Sequence, residues 1–361
     1  MNDANELISF IASMSGEGNL RVEENLGEGY VRLRVSEAER RQAKHDIQHV
    51  EDIVIEMLRN ARDAGADKVY LATTKEDGVR TLVFLDNGSG VPQDMQERIF
   101  DARVTSKLES MKMDRWGVHG RGMALFSIKQ NTDEARVVAS DVDLGSVFKV
   151  SVATDRLGER ADQSSWPQAV KDEDGHYVCA RGPHNIIRAA CEFALEELRA
   201  CDVYLGSPSE IAATLHAQAS NRLDASRLLF IDDEAELPVV DRLGLASDAE
   251  DFIRICSGLG LEMSERTAHR ILAGQIKPVR GVTARLLRER DSSSHASAPV
   301  DLAKDRRGLR IAKDDMAQFS RAVERDFNDL ASRYYLNLCG DPKIRVSRDR
   351  ITVTFDLAKE E

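Results

Sequence analysis

Three polar side chains within residues 50–63, VEDIVIEMLRNARD, are spaced for joint chemistry. Glu56, Asn60 and Asp63 stand at i, i+4 and i+7, so a helix sets a carboxylate, an amide and a second carboxylate along one edge. Polar groups at the margin of a core are costly without partners, so this edge is expected to face a ligand. The amide oxygen of Asn60 is a hard, neutral ligand suited to Mg2+. Glu56, one turn earlier, can polarise an attacking water as a general base.

Two glycine-rich segments complete a set. Residues 81–90 read TLVFLDNGSG, an apolar run that stops at Asp86. At a strand end that carboxylate could accept a hydrogen bond from an exocyclic adenine amine, and Gly88 and Gly90 would let the backbone pass close to a planar base. Residues 117–122 read GVHGRG and lead into MALFSIKQ. Gly117, Gly120 and Gly122 leave backbone N–H groups free for phosphate oxygens, and a helix from Met123 adds its positive end. His119, beside Val118, reads equally as a phosphate contact or as a solvated loop residue. Alone, DNGSG is more often a hairpin turn and GVHGRG an ordinary glycine loop. Their order after the helix points to a nucleoside triphosphate held with magnesium.

The elements that must position these residues follow from periodicity. Val50, Ile53, Val54, Met57, Leu58 and Ala61 form the apolar stripe of a helix over 48–63, which Gly65 can stop in a left-handed conformation. Tyr30–Val35 alternates as a strand, and Ser36 caps a charged helix. Lys68–Thr73 and Arg80–Leu85 read as strands joined at Asp77-Gly78. Residues 91–100 read as a loop and short helix, and Arg103–Arg115 as a mobile segment without periodicity. A helix over Ala124–Lys129 and strands at Ala135–Ala139 and Ser146–Val152 follow. Helices on one side of an antiparallel or mixed sheet give an α+β fold, a two-layer α/β sandwich.

The order Glu-x-x-x-Asn, Asp-x-Gly-x-Gly, glycine-rich lid resembles the GHKL ATPases: gyrase B subunits, MutL, heat-shock chaperones and histidine kinases. The resemblance covers about residues 40–153 and implies a Bergerat-type fold. It implies Glu56 as hydrolytic base, Asn60 as metal ligand, Asp86 as adenine reader and Gly117–Gly122 as the lid over ATP. Asp63 matches an aspartate of the first motif, and Ser146 a late Thr or Ser that supports the adenine-reading aspartate. EMLRNARDAG is similar to the MutL pattern Glu-Leu-Val-Glu-Asn-x-x-Asp-Ala-Gly. Thr105-Ser106-Lys107 matches a Thr-Ser-Lys before the MutL lid, and Arg121-Gly122-x-Ala124-Leu125-x-Ser127-Ile128 a run after it. Lys107 reads either as a phosphate contact or as a surface charge. Topoisomerase VI B subunits share a looser version. Such ATPases add a transducer domain whose lysine reaches the γ-phosphate; Lys277 and Lys343 are candidates by position, and neither is assigned.

The chain has 361 residues, a net charge of −12 and no long apolar stretch, which suggests two or three domains and no membrane span. Its five scattered cysteines form no C-x-x-C pair, and MNDANELISFIASM carries acids where a signal peptide wants bases, so a cytoplasmic protein is expected. The expected domains are 1–155 for ATP binding, a linker at 156–175, an α/β region at 176–245 serving as a possible transducer, a helix-turn-helix-like segment at 246–290 and a closing helix and strands at 291–361. Asn185–Leu198 reads as amphipathic, with Leu198 on the apolar face, and Leu228–Ile231 as a strand. In DFIRICSGLGLEMSERTAHRILAG (251–274), Ser264 caps a second helix that could enter a DNA major groove. Arg266, His269, Arg270, Lys277, Arg280, Arg285, Arg288 and Arg290 make that neighbourhood basic in an acidic chain, with the first five as candidate DNA contacts; a packed hairpin with a solvated charged face is the other reading. The function expected is a Mg-dependent ATPase acting as an ATP-gated, homodimerising clamp on DNA. The alternatives are an ATP-sensing DNA-binding regulator with little turnover, or a histidine-kinase-like protein. For the last, His45 and His49 lie too close to the first motif to sit on an upstream dimerising hairpin.

Overall fold

Local chemistry sets the first elements. β1 (Val22–Gly27) and β2 (Tyr30–Leu33) pair antiparallel. α1 (Glu37–Asp46) starts at a reciprocal cap: Ser36 Oγ accepts the Glu39 N–H, and Glu39 Oε2 accepts the Ser36 N–H at 2.9 Å. α2 (Val50–Asp63) buries all six residues of its apolar stripe. It ends at Gly65, φ +75°, where the Ala66 N–H returns to the Ala61 carbonyl at 3.0 Å. β3 (Lys68–Glu76) and β4 (Val79–Asp86) turn at Asp77-Gly78, both at positive φ, as a two-residue hairpin demands.

The computed structural model describes residues 22–106, 112–119, 122–198, 200–223, 231, 233–287, 316, 319, 320, 322–324, 327, 336–338, 340, 342–346 and 351–359. Contacts divide the chain into two units, 1–291 and 292–361. In the first unit β5 (Val104–Thr105) joins β2, and β6 (Lys112–Asp114) pairs with β7 (Gly117–His119). The segment 103–115, expected to lack regular structure, therefore contributes to two strand pairs. α3 (Ala124–Asn131), β8 (Glu134–Ser140) and β9 (Ser146–Ala153) follow. Residues 156–175 are not a free linker: β10 (Gln168–Lys171) pairs with β11 (Tyr177–Arg181), and Trp166 and Ala169 pack on the core. α4 (Ile186–Glu196) is capped by Asn185, whose Oδ1 accepts the Arg188 N–H at 2.8 Å. Leu198 lies past its end and is exposed, because the helix stops before the apolar stripe reaches it. β12 (Asp202–Gly206), α5 (Pro208–Arg222), α6 (Ala249–Gly258) and α7 (Glu265–Leu272) complete this unit's labelled elements. The expected strand at Leu228–Ile231 lies, but for Ile231, outside the described residues.

The main sheet runs β12-β3-β4-β9-β8, with β12 parallel to β3 and the other neighbours antiparallel. Val69, Leu71, Leu82, Phe84 and Val150 point to one face, where they pack with α2, α3 and α4. Tyr70, Ala72, Val83, Leu85 and Val147 point to the other, against α5, α6 and α7. Residues 22–153 thus form the α/β sandwich, and residues 202–272 extend its sheet and cover its second face. The continuous apolar run Leu82–Leu85 is what a strand buried on both faces requires. Full burial of side chains such as Ile53, Leu58, Ile128 and Phe193 contributes about 1.5–3 kcal/mol each.

In the second unit β13 (Leu336–Leu338), β14 (Lys343–Val346), β15 (Ile351–Thr354) and β16 (Leu357–Lys359) pair antiparallel as β13-β16 and β14-β15. Phe327 and Phe355 stack there with ring centroids 4.0 Å apart. Lys343 Nζ pairs with Asp356 Oδ2 at 2.6 Å.

Candidate nucleotide site

A cleft of about 460 Å³ opens between α2, the loop after β4, β5 and the start of α3. Glu56, Asn60 and Asp63 line it from α2; Asp86, Gly90 and Ser146 from the ends of β4 and β9; Thr105, Ser106, Gly122 and Met123 from the segment before α3. Ten of the residues expected at a nucleotide site therefore converge on one cavity. Gly88 does not line it but lets the loop lie on the end of α2, since a Cβ there would sit 2.8 Å from the Ala64 carbonyl oxygen. Gly117, Val118 and His119 form β7. Lys107, Gly120 and Arg121 lie outside the described residues.

One end of the cleft suits a base. Asp86 is buried at the last position of β4, directly across the strand pair from Ser146. Its Oδ1 accepts the Gly88 N–H at 2.8 Å. The loop that follows is stitched down: Ser89 N–H donates to the Ala64 carbonyl, Val91 N–H to Ser140 Oγ, and Ser140 Oγ to the Gly145 carbonyl. Gly90 is required here. Its φ is +70°, and a Cβ would fall 1.8 Å from the Asp141 carbonyl oxygen. Val91, Ile99 and Phe148 supply apolar walls. Apolar walls with the Asp86 carboxylate among them suit an adenine edge.

The other end suits phosphates and a metal. The Asn60 Nδ2 is buried without a hydrogen-bond partner. Such a group is costly unless a ligand meets it, and the same amide turned over offers its oxygen there instead. α3 starts at Met123 without a side-chain cap, with Met123, Ala124 and Leu125 on the cleft wall. The open N–H groups of a first turn can donate to phosphate oxygens. Among the described residues no group of three or more His, Cys, Asp or Glu could hold a metal ion. The Asn60 amide oxygen, turned into the cleft, would suit an ion otherwise held by phosphate and water oxygens, which is the habit of Mg2+.

A buried charge network runs behind the cleft. Arg59 Nη1 donates to Glu56 Oε1 at 2.6 Å, while its Nε and Nη2 each donate to the Asp114 carboxylate at 2.8 Å. Arg62 donates to Asp63, Asp114 and Glu197 at 3.1–3.2 Å. Burial alone would lower the pKa of the Arg62 guanidinium, but these three carboxylates raise it. At the rim, burial raises the Tyr30 phenol, and a hydrogen bond with Ser106 offsets part of that. Sequence reasoning missed Tyr30, Arg59, Asp114 and Trp116 at this site. Arg59 did leave a sign: it is a cation beside Asn60, between the buried Leu58 and Ala61. Asp114 and Trp116 left none, since only folding brings β6 and β7 against α2.

The possible DNA contacts stand apart from the cleft. α6 and α7 bury Phe252, Ile255, Cys256, Ala268 and Ile271 against the sheet. Arg266, His269 and Arg270 stay on the exposed side of α7, where they line a shallow concavity with Ala273 and Gln275. Lys277 and Arg280 are exposed beyond it. Arg285 is engaged elsewhere, its guanidinium 3.9 Å from the centre of the Trp166 ring.

Comparison with known proteins agrees with this geometry. Residues 47–140 match the family of histidine kinase-, DNA gyrase B- and HSP90-like ATPases. Among curated proteins the chain is similar to the DNA mismatch repair protein MutL of Staphylococcus aureus strains Newman and JH1, 28% identical over 136 residues in both. That similarity covers 35% of this chain and 20% of each relative. The chain thus spans about a fifth of the length of the curated relatives it matches. Among the described residues no helix is long and apolar enough to cross a membrane. The ordered motifs, the cleft they build and the matched segment agree: residues 47–140 form a domain of the GHKL ATPase type.

Proposed function

We propose that this chain hydrolyses ATP in the cleft with magnesium, and that the nucleotide gates a homodimeric clamp that acts on DNA. Asp86 reads the adenine amine, supported across the sheet by Ser146. Asn60 holds Mg2+, which neutralises charge on the triphosphate. The first turn of α3 receives phosphate oxygens. Glu56 takes a proton from the water that attacks the last phosphorus, and the phosphate–phosphate bond breaks with ADP as leaving group. The observation that carries the reading is the buried Asn60 Nδ2 without a hydrogen-bond partner, one helical turn from Glu56, on a residue lining the same cleft as the uncapped end of α3.

The test is Glu56→Ala. Calorimetry should show ATP binding at wild-type affinity with magnesium present, and a phosphate-release assay should show turnover lost. Full turnover in that variant removes Glu56 from the mechanism, and no uptake of ATP by the wild type sinks the reading. For the clamp, sedimentation with a non-hydrolysable analogue should show a dimer, and DNA affinity should fall steeply with salt. Replacing Arg266 and Arg270 with Ala should weaken DNA binding and flatten that salt slope. The DNA mismatch repair role of the MutL relatives and the exposed basic side of α7 support the DNA part. One observation favours a second reading, an ATP-sensing DNA-binding regulator with little turnover: Glu56 is ion-paired with Arg59, so its carboxylate is not a lone base. Undetectable turnover with intact ATP and DNA binding would select that reading.

A further inference from the structure

We infer that Arg59 is a positioning residue for Glu56, and that Asp114 of the β6–β7 hairpin holds Arg59 in place, so that hydrolysis depends on the seating of the hairpin on α2. The inference rests on the ATPase reading of the cleft.

The geometry is that of a relay. The Arg59 side chain is only 3% exposed. Its guanidinium presents Nε and Nη2 to the two oxygens of Asp114, each at 2.8 Å, and Nη1 to Glu56 Oε1 at 2.6 Å. A guanidinium is a rigid, planar fork, and a carboxylate gripping one edge in two places fixes the direction of the donor on the other. The orientation of the Glu56 carboxylate is therefore set through Arg59 by Asp114, 55 residues further along the chain.

Asp114 is itself anchored. Its carboxylate also accepts the Trp116 N–H at 3.0 Å and Arg62 Nη1 at 3.2 Å. The adjoining Trp116 ring stacks on Phe193 of α4 with centroids 6.3 Å apart. The hairpin is thus keyed to two helices at once. Removing Asp114 would leave one edge of a buried guanidinium uncompensated, which is costly enough to make the side chain re-aim. Glu56 would be re-aimed with it. The MutL pattern has a glutamate where Arg59 stands, so the family pattern does not supply this arrangement.

The experiment compares Asp114→Asn, Arg59→Lys and the double variant, measuring kcat for ATP, the ATP Kd by calorimetry and the melting temperature. Lysine keeps the charge but cannot hold two carboxylates in a fixed fork. Each single variant should lose about tenfold or more in kcat, since misplaced catalytic groups cost that much, while the ATP Kd changes less than about twofold. The double variant should be no slower than the slower single one, because both changes break the same relay. Losses that multiply in the double variant overturn the inference, as does a kcat for Asp114→Asn within about twofold of wild type. Should Arg59→Lys fail to fold, Asp114→Glu replaces it: this variant keeps the ion pair and should recover much of the kcat that Asp114→Asn loses, whereas equal loss in both overturns the relay. Wild-type protein without turnover overturns the ATPase reading and this inference together. Wild-type turnover with an unaffected Asp114→Asn overturns this inference alone.

Discussion

Asp86→Asn tests the adenine end of the cleft with the least structural disturbance. Asp86 is 4% exposed at the last position of β4, and its Oδ1 accepts the Gly88 N–H at 2.8 Å. Asparagine is isosteric and can keep that acceptor toward Gly88, so the loop that follows should hold its course. The change puts an NH2 donor where the exocyclic adenine amine needs an acceptor. A hydrogen bond to a charged group contributes about 1.5–3 kcal/mol, and two opposed donors add to the loss. A total of about 2–3 kcal/mol corresponds to roughly 30- to 150-fold weaker ATP binding. Calorimetric titration with MgATP, beside thermal melting of both proteins without ligand, separates this from unfolding. Discrimination between ATP and GTP should narrow as well, since the acceptor that selects an amine is gone. If Asp86→Asn binds ATP within about threefold of wild type with an unchanged melting temperature, Asp86 does not read the base and the orientation of the nucleotide in the cleft must be reversed or abandoned.

Two substitutions and one labelling experiment probe the frame around the cleft. Gly90→Ala should destabilise the fold by about 2–4 kcal/mol in urea unfolding, from a left-handed φ and from overpacking against the Asp141 carbonyl; a loss under about 0.5 kcal/mol would refute the turn geometry. Burial pushes the thiols of Cys179, Cys201 and Cys256 up to about 11, about 12 and about 12, so iodoacetamide at pH 8 should label them only after unfolding, and rapid labelling of any of them in native protein would contradict the core described here. Burial raises the Glu159 carboxyl, but hydrogen bonds from Arg80 and Lys75 outweigh it and leave its pKa below the ordinary glutamate value. That lowered value contributes stability above the ordinary glutamate range that is lost as the pH falls through the folded pKa, so Glu159→Gln should flatten the acid side of the stability profile, and an unchanged slope would count against the pair.

Much of the site could be read from the chain because its chemistry is local. Glu56, Asn60 and Asp63 share a face by helical geometry alone, and the stripe that buries α2 lies in the same 14 residues. The Ser36 and Asn185 caps, the Asp77-Gly78 turn and the left-handed Gly65 likewise follow from neighbours in sequence. The ordered motifs then required a cleft, and ten of the expected residues do line one. What the sequence could not determine is pairing over distance. β12 lies beside β3, though Asp202 and its partner Lys68 are separated along the chain by β4, β8 and β9 of the same sheet and by α4. Periodicity states which side of a strand is apolar, but not which strand will be its neighbour, and the two-sided burial of Leu82–Leu85 depends on helices supplied by residues 202–272. The same holds for charge. Arg59 reads as a helix cation until loop closure brings Asp114 to it, because an ion pair between distant residues is decided by where the backbone returns and not by the residues that flank it.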